Sequence, residues 1–193
     1  MATPNFTVEG RLSTIDDLLR NFMFEVTIPD IATMVGTESG VSSGDLMESM
    51  TIRTKTCSIP ARGNEEIESV FMGMKQFFPG RPTFSNKLSL QIDETEDQLV
   101  MQVLTAWRNR VFDTRPDSFT AGYSKASNKR GLSTSIILRQ YRYDGTALPN
   151  DIVFVNAWPQ EVGDVELAMA GNEKVTFNVT FTYDFWKLKG KIQ

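Results

Sequence analysis

The stretch VTFNVTFTYDF at residues 175–185 decides the fold class of this chain. Apolar side chains occupy every second position along it, and the positions between them carry threonine, asparagine and aspartate. Because side chains on a β-strand alternate between its two faces, the pattern predicts a strand with one apolar face on a core and one polar face in water. The polar face suits either open solvent or a water-filled passage, and both interpretations stay open.

Further segments with the composition of β-strands lie on both sides of this one. They cover residues 21–29, 50–60, 132–143 and 151–158. Two more strand-like segments, 65–78 and 83–92, flank the cluster Pro79-Gly80-Arg81-Pro82, whose residue types favour a turn. The sequence therefore predicts a long hairpin that turns at this cluster.

One segment, residues 95–112, has the periodicity of a helix. Six of its apolar side chains fall on one stripe, namely Leu99, Val100, Val103, Leu104, Trp107 and Val111. Thr95 and Gln98 have the spacing of a capping box. The carboxylates of Asp93, Glu94, Glu96 and Asp97 are then explained by the positive end of the helix dipole rather than by a metal or acid–base site.

The order of these elements indicates the architecture. Several strands are followed by one main helix and then by three more strands. This order favours an α+β fold that is mainly β, an antiparallel barrel or sandwich with one flanking helix. A length of 193 residues fits a single domain over residues 1–193.

Composition excludes several classes of catalyst. The chain has no histidine and only one cysteine, Cys57, so a Ser-His-Asp triad, an imidazole-ligated metal and a cysteine-rich zinc site are excluded. Carboxylate, lysine or tyrosine chemistry stays open on these grounds, but the sequence offers no catalytic arrangement of such residues, and we expect no enzymatic activity, no metal and no cofactor. The net charge of −4 provides no overall basic surface for nucleic acid, and no apolar segment is long enough to span a membrane.

Large apolar side chains surround the predicted hairpin turn. Phe77 and Phe78 precede it, and such a hairpin can project from its domain and need a partner surface. Self-assembly is therefore a candidate function. A second acidic cluster consists of Glu65, Glu66 and Glu68. It suits a solvated face, a strand edge protected from pairing, or an acidic inner surface.

Three signatures occur in order towards the C-terminal end: IILRQY at residues 136–141, AWPQEVGD at 157–164 and YDFW at 183–186. Together they resemble the tail tube protein family of contractile-tailed bacteriophages, and the likeness spans roughly residues 20–187. The positions that carry it are Trp158, Pro159, Val162, Gly163, Asp164, Asp184 and Trp186.

This resemblance implies a small β-barrel or sandwich related to type VI secretion tube proteins. It implies a structural subunit of the virion tail, assembled in the host cytoplasm, whose six-fold rings stack into a hollow tube inside a contractile sheath and serve as the conduit for DNA ejection. The implied partners are other copies of the chain, the sheath protein, a baseplate or tube initiator, a tail terminator, and tape-measure protein and DNA in the lumen. Residues 1–20 and 30–49 exceed a minimal family member and are expected to act in assembly.

Two hypotheses on individual residues follow from the resemblance. Phe77, Phe78 and Arg81 are expected to contact a neighbouring subunit. Glu65, Glu66 and Glu68 are expected to face the channel, where acidic groups repel phosphate and keep DNA from adhering. The alternatives are a monomeric β-sandwich module that binds a ligand, a tube subunit of a phage-derived secretion or bacteriocin particle, and a carboxylate hydrolase.

Overall fold

A computed structural model describes residues 18–35, 50–111, 131–165 and 174–190 of the 193-residue chain. Within these ranges the chain forms nine strands, two helices with both ends described, and a further helical segment at residues 50–53. In chain order they are β1 (Phe24–Thr27), α1 (Ile31–Val35), β2 (Thr54–Cys57), β3 (Arg62–Phe71), β4 (Met74–Phe84), β5 (Lys87–Asp93), α2 (Leu99–Val111), β6 (Thr134–Gln140), β7 (Asp151–Val162), β8 (Thr176–Thr182) and β9 (Phe185–Lys189).

Seven of these strands form one antiparallel sheet. Its strand order is β1-β6-β7-β8-β5-β2, and β9 pairs with β7 as well. The first part of β7 lies between β6 and β9, whereas its last part pairs with β8. The terminal strands β1 and β2 approach each other, so the sheet curls towards a barrel. The predicted antiparallel barrel or sandwich with a flanking helix is confirmed.

Strand β7 changes partners at a bulge. Asn156 has a positive φ of 56°, a backbone conformation that asparagine tolerates better than most residues. Its side-chain amide donates a hydrogen bond of 2.7 Å to the Asp184 carboxylate, in the bend between β8 and β9. The Asp184 amide in turn donates to the Val155 carbonyl over 3.1 Å. These two bonds fix the point where the two parts of the sheet meet.

Strand β8 confirms the alternation that predicted it. Phe177, Val179 and Phe181 are buried in the core, and the threonine and asparagine residues between them face outward. The regular strand ends at Thr182, because the chain bends before β9 begins. Phe185, predicted to continue the apolar face, is therefore 51% exposed.

Helix α2 covers the inner face of the sheet and confirms the predicted stripe. Five of the six stripe residues are buried, and Val111 is half-buried. Trp107 is fully buried, its indole N–H donates to the Leu132 carbonyl over 2.9 Å, and its ring centroid lies 5.6 Å from that of Phe181. One side chain thus joins the helix, the start of the β6 segment and strand β8.

The predicted capping box at the start of α2 is wrong. Gln98 has a positive φ of 53° and lies before the helix, so it cannot occupy the third helical position that a capping box requires. Glu94 replaces it, because its carboxylate accepts from the amides of Val100 over 3.2 Å and Met101 over 2.7 Å. Arg53 lies 3.9 Å from the same carboxylate.

We expect Glu94→Ala to lower the free energy of unfolding by about 1–2 kcal/mol, since it leaves two helix-terminal amides without their acceptor. Urea denaturation followed by circular dichroism measures the change. The matched control is Glu96→Ala, because Glu96 is exposed in the same turn, and we expect less than about 0.5 kcal/mol from it. Equal effects of the two variants would contradict the capping role.

Two other predicted boundaries are wrong. Residues 50–53 of the predicted strand 50–60 are helical. Tertiary contacts override the alternation there: Met50 is buried, and Arg53 lies 3.3 Å from Asp97. Of the predicted loop 30–49, residues 31–35 form α1, with Ile31, Met34 and Val35 buried. Residues 36–49 of that loop, and residues 1–17 of the predicted N-terminal extension, lie outside the described residues.

Candidate assembly surface

Strands β3 and β4 form a separate two-stranded ribbon outside the seven-stranded sheet. The ribbon turns at Met72 and Gly73, which have φ values of 49° and 79°. Two consecutive positive φ values are the mark of a type I′ hairpin turn, which matches the twist of the strands it joins. The four residues Phe71–Met74 that make this turn are called the hairpin tip below.

The predicted turn at residues 79–82 is therefore wrong. These residues lie inside β4, which has one more residue than β3 between the pairs Asn64–Pro82 and Glu66–Pro79. Prolines are accommodated there because each strand of a ribbon has an outer edge that needs no ladder donor. A Cβ on Gly80 would lie 2.9 Å from the Glu65 carbonyl oxygen, so the close approach at this bulge requires glycine.

The ribbon is exposed along nearly its whole length. All ten residues of β3 are exposed, and so are ten of the eleven in β4. Its exposed large apolar side chains are Ile67, Val70, Phe71, Met72, Met74, Phe77, Phe78 and Phe84. A two-stranded ribbon alone is marginally stable in water, and exposed apolar side chains in this number are typical of a contact site.

The two faces of the ribbon differ in chemistry. Cross-strand partners share a face, so the register places Ile67, Phe71, Met74 and Phe78 on one face, called the apolar face. The other, called the charged face, carries Glu66, Glu68, Val70, Lys75 and Phe77, with a contact of 2.7 Å between the Lys75 ammonium and the Glu68 carboxylate.

The candidate residues from the sequence are thus divided between both faces. Phe77 and Phe78 point to opposite sides, and strand alternation places Glu65 opposite Glu66 and Glu68. All of these residues, together with Arg81, are exposed.

The root of the ribbon, which is the end opposite the hairpin tip, contacts β9. The Arg62 guanidinium carbon lies 3.3 Å from the centroid of the Trp186 ring, and the same guanidinium donates a hydrogen bond to the Trp186 carbonyl. A cleft of about 340 Å³ opens beside this contact. Its lining residues are Arg62, Gly63, Asn64, Pro82, Phe84, Asn86, Tyr183, Phe185 and Trp186, and it is called the root cleft below.

Most of the motif residues that carried the resemblance pair or hydrogen-bond β7 with β8 and with the bend before β9. Trp158, Pro159 and Val162 pair with residues of β8, and Asp184 accepts from Asn156 as described above. The Gly163 amide donates to the Asn178 carbonyl over 2.7 Å, and a Cβ at Gly163 would lie 2.9 Å from that oxygen. Asp164 is exposed, and Trp186 lines the root cleft.

Sequence reasoning missed the hairpin tip and most of the root cleft. The signal for the tip was present, since Met72-Gly73 interrupts the β-rich segment 65–78 and glycine supplies one of the two positive φ values. No local signal marks the cleft, because Arg62 and Trp186 are 124 residues apart in the chain.

Several ionisable groups of the described residues are held in structural contacts. Asp93 lies 2.7 Å from the Lys174 ammonium, and Asp97 pairs with Arg53. Burial raises the pKa of the Cys57 thiol to about 12, so the thiol stays protonated. Across the described ranges no three or more acidic or cysteine side chains are grouped to hold a metal ion. No described helix is long and apolar enough to cross a membrane.

Comparison with known proteins identifies one matching family and several solved structures with a similar fold. Residues 19–189 match the family model described as phage tail tube protein. No curated protein sequence matches the chain. The fold is similar to the anti-feeding prophage cap, the AFP tube terminating cap, with a TM-score of 0.61 and 13% identity over 92% of this chain and 94% of that chain.

Two further solved structures come from the PVC extracellular contractile injection system in its extended state. A chain of the sheath/tube terminator gives a TM-score of 0.58 at 15% identity, covering 92% of this chain and 100% of that chain. A chain of the sheath-tube complex gives a TM-score of 0.56 at 15% identity, covering 95% of this chain and 99% of that chain. At these identities the likeness shows a shared fold.

Proposed function

This chain belongs to the phage tail tube protein family, as the sequence resemblance indicated, and from this premise we propose that it is a structural subunit that assembles with copies of itself into a hollow tube. In this proposal six-fold rings stack inside a contractile sheath, and the tube serves as the conduit for DNA ejection from the virion tail. Assembly takes place in the host cytoplasm. The further partners are a baseplate or initiator, a terminator and tape-measure protein.

The observation that carries this proposal is the exposed ribbon of β3 and β4. A strand of ten residues extends about 30 Å, and the ribbon carries large apolar side chains on both faces without contributing to the core. A monomer would leave this surface in water. A tube buries it, because each copy offers its ribbon to a neighbour while its barrel receives another.

Phe77, Phe78 and Arg81 are the residues that we propose at the subunit contact. Because Phe77 and Phe78 lie on opposite faces, each face of the ribbon meets a neighbouring subunit; on the charged face this contact runs along β4 only and leaves Glu66 and Glu68 of β3 uncovered. Glu66 and Glu68, on the charged face, remain our proposal for groups that face the channel. Glu65 is less suited to face the channel, since strand alternation places it on the face opposite to that of Glu66 and Glu68.

A second candidate is a tube subunit of a phage-derived injection particle. The observation in its favour is that the similar structures described above come from contractile injection systems. Both candidates share one architecture and differ in cargo, so DNA inside purified particles supports the virion tail and a protein cargo supports the injection particle.

Electron microscopy of the purified full-length chain tests the proposal. Negative staining is expected to reveal hollow tubes or stacked rings of uniform width that sediment as large particles in the ultracentrifuge. A monomer at every concentration, in buffers that span low and physiological salt, would overturn it and favour the monomeric ligand-binding module. Class averages of the rings then count the subunits.

A further inference from the structure

The ribbon leaves the barrel through two short chain connections, one from β2 into β3 and one from β4 into β5. Each connection is bonded to the barrel by its backbone. The Ser58 amide donates to the Ser89 carbonyl over 3.4 Å, and the Asn86 carbonyl accepts from the Tyr183 amide over 3.1 Å. Asn86 also has a positive φ of 53°, so the extended backbone of β4 does not continue into β5. Two attachments fix the root in place but leave a rotation about the line that joins them.

A third contact lies at the root of the ribbon. Among the residues that the structure describes, Arg62 is the one member of β3 or β4 that makes a hydrogen bond, an ion pair or a ring contact with the barrel. Its guanidinium carbon is 3.3 Å from the centroid of the Trp186 ring, and the same group donates to the Trp186 carbonyl. This pair of interactions is called the root contact below. It can stop the rotation that the two connections allow.

The barrel side of the root contact is held firmly. Trp186 lies opposite Phe154 in the pairing of β9 with β7, Phe154 is fully buried, and Trp186 packs against the same core. The ribbon side is free, because β3 and β4 pair with each other and with no strand of the seven-stranded sheet. The ribbon is about 30 Å long, so a rotation of about 20° at the root moves the hairpin tip by about 10 Å.

The chemistry of the root contact requires an arginine. A guanidinium is planar, so it stacks on an aromatic face while its N–H groups donate to an acceptor in its own plane. A lysine ammonium is a compact charge without such a plane, and it cannot make both interactions in the same way. Arg62 therefore fixes both a distance and an orientation between the ribbon and β9.

We propose that Arg62 is the positioning residue that holds the ribbon at one angle to the barrel, through the root contact with Trp186. When this contact is lost the ribbon turns about its two connections while the barrel stays folded, because Arg62 is not part of the core. A ribbon held at one angle presents its two faces in a fixed direction before a partner arrives, which lowers the ordering cost of a contact. The inference goes beyond the proposed function and does not depend on tube formation.

Distance measurements between two spin labels on the full-length chain test the proposal. Cys57→Ser removes the native thiol, and nitroxide labels are then attached at Met72→Cys in the hairpin tip and Met101→Cys on α2. Both positions are exposed, by 89% and 51%. Pulsed electron paramagnetic resonance gives the distribution of distances between the labels in single subunits, which size-exclusion chromatography separates from any assembled material.

Three further variants are compared in this labelled chain. Arg62→Ala removes the whole root contact, and Arg62→Gln keeps a donor for the Trp186 carbonyl but removes the stacked cation. Lys187→Ala is the matched control. It removes a positive charge next to Trp186 in β9, but the Lys187 side chain is exposed and alternation directs it to the other face of the strand.

We expect the distance distribution to be at least twofold broader in Arg62→Ala than in the labelled parent, intermediate in Arg62→Gln and unchanged in Lys187→Ala. Equal widths in all of these chains would overturn the positioning role. Broadening in both Arg62 variants together with unfolding of the barrel, measured by circular dichroism, would assign Arg62 to stability instead and would likewise overturn it. A chain that never forms tubes contradicts the proposed function but leaves this result interpretable, because the measurement is made on single subunits.

Discussion

Replacing Trp107 with alanine is expected to lower the free energy of unfolding by about 3–5 kcal/mol. The indole is fully buried, packs on Phe181 and donates to the Leu132 carbonyl. Its removal leaves a large cavity between α2 and the sheet and a carbonyl without its donor. Because domains are typically stable by about 5–15 kcal/mol, this loss removes a large fraction of the free energy of unfolding, and a chain near the lower limit is expected to be partly unfolded at 37 °C.

Urea denaturation followed by far-ultraviolet circular dichroism measures this loss. Met101→Ala is the matched control, since Met101 lies on the same helix but is 51% exposed. The control is expected to change the free energy of unfolding by less than about 0.5 kcal/mol. A Trp107→Ala variant with a midpoint near that of the control would show that α2 does not hold the core together.

The double variant Phe77→Ser, Phe78→Ser is expected to stay folded and to lose tube assembly. Phe77 and Phe78 are 58% and 51% exposed, so burying the exposed half of each side chain stabilises its own contact by roughly 0.8–1.5 kcal/mol. Over the two contacts the loss is roughly 1.5–3 kcal/mol per subunit, which corresponds to about one to two orders of magnitude in the association constant. Folding is spared because neither side chain belongs to the core.

Sedimentation and negative-stain microscopy measure the assembled fraction. Each single variant is expected to retain partial assembly, because Phe77 and Phe78 lie on opposite faces and one contact survives. Met101→Ser, which removes a comparably exposed apolar side chain from α2, is expected to leave assembly unchanged. Tubes of normal yield and length from the double variant would contradict the role of the ribbon.

The elements that the sequence predicted well are those with a buried and an exposed face. Strand β8 and helix α2 each bury one side, so burial imposes a period of two or of about 3.6 on the apolar residues. The strand predicted at 50–60 failed in its first four residues because the contacts of Met50 and Arg53 decide the backbone there. Such contacts join distant parts of the chain, and no local pattern records them.

The ribbon illustrates the other limit of prediction. Both faces of β3 and β4 are exposed, so no core imposes a pattern that would set their register. The proline and glycine residues at 79–82 therefore gave a stronger turn signal than Met72-Gly73, although β4 absorbs them as a bulge. The root cleft depends on that register and on the bend after β8, so its residues could not be grouped from sequence.

The independence of the ribbon also affects how such a protein can change over time. Since β3 and β4 form their own sheet and contribute no described side chain to the core, we expect substitutions along them to have little effect on folding and, under the proposed function, to alter partner recognition. Barrel and ribbon can thus diverge at different rates. A lineage can replace the specificity of its assemblies while it keeps the same scaffold, and exchanging this one module between related chains is a direct route to tubes of mixed composition.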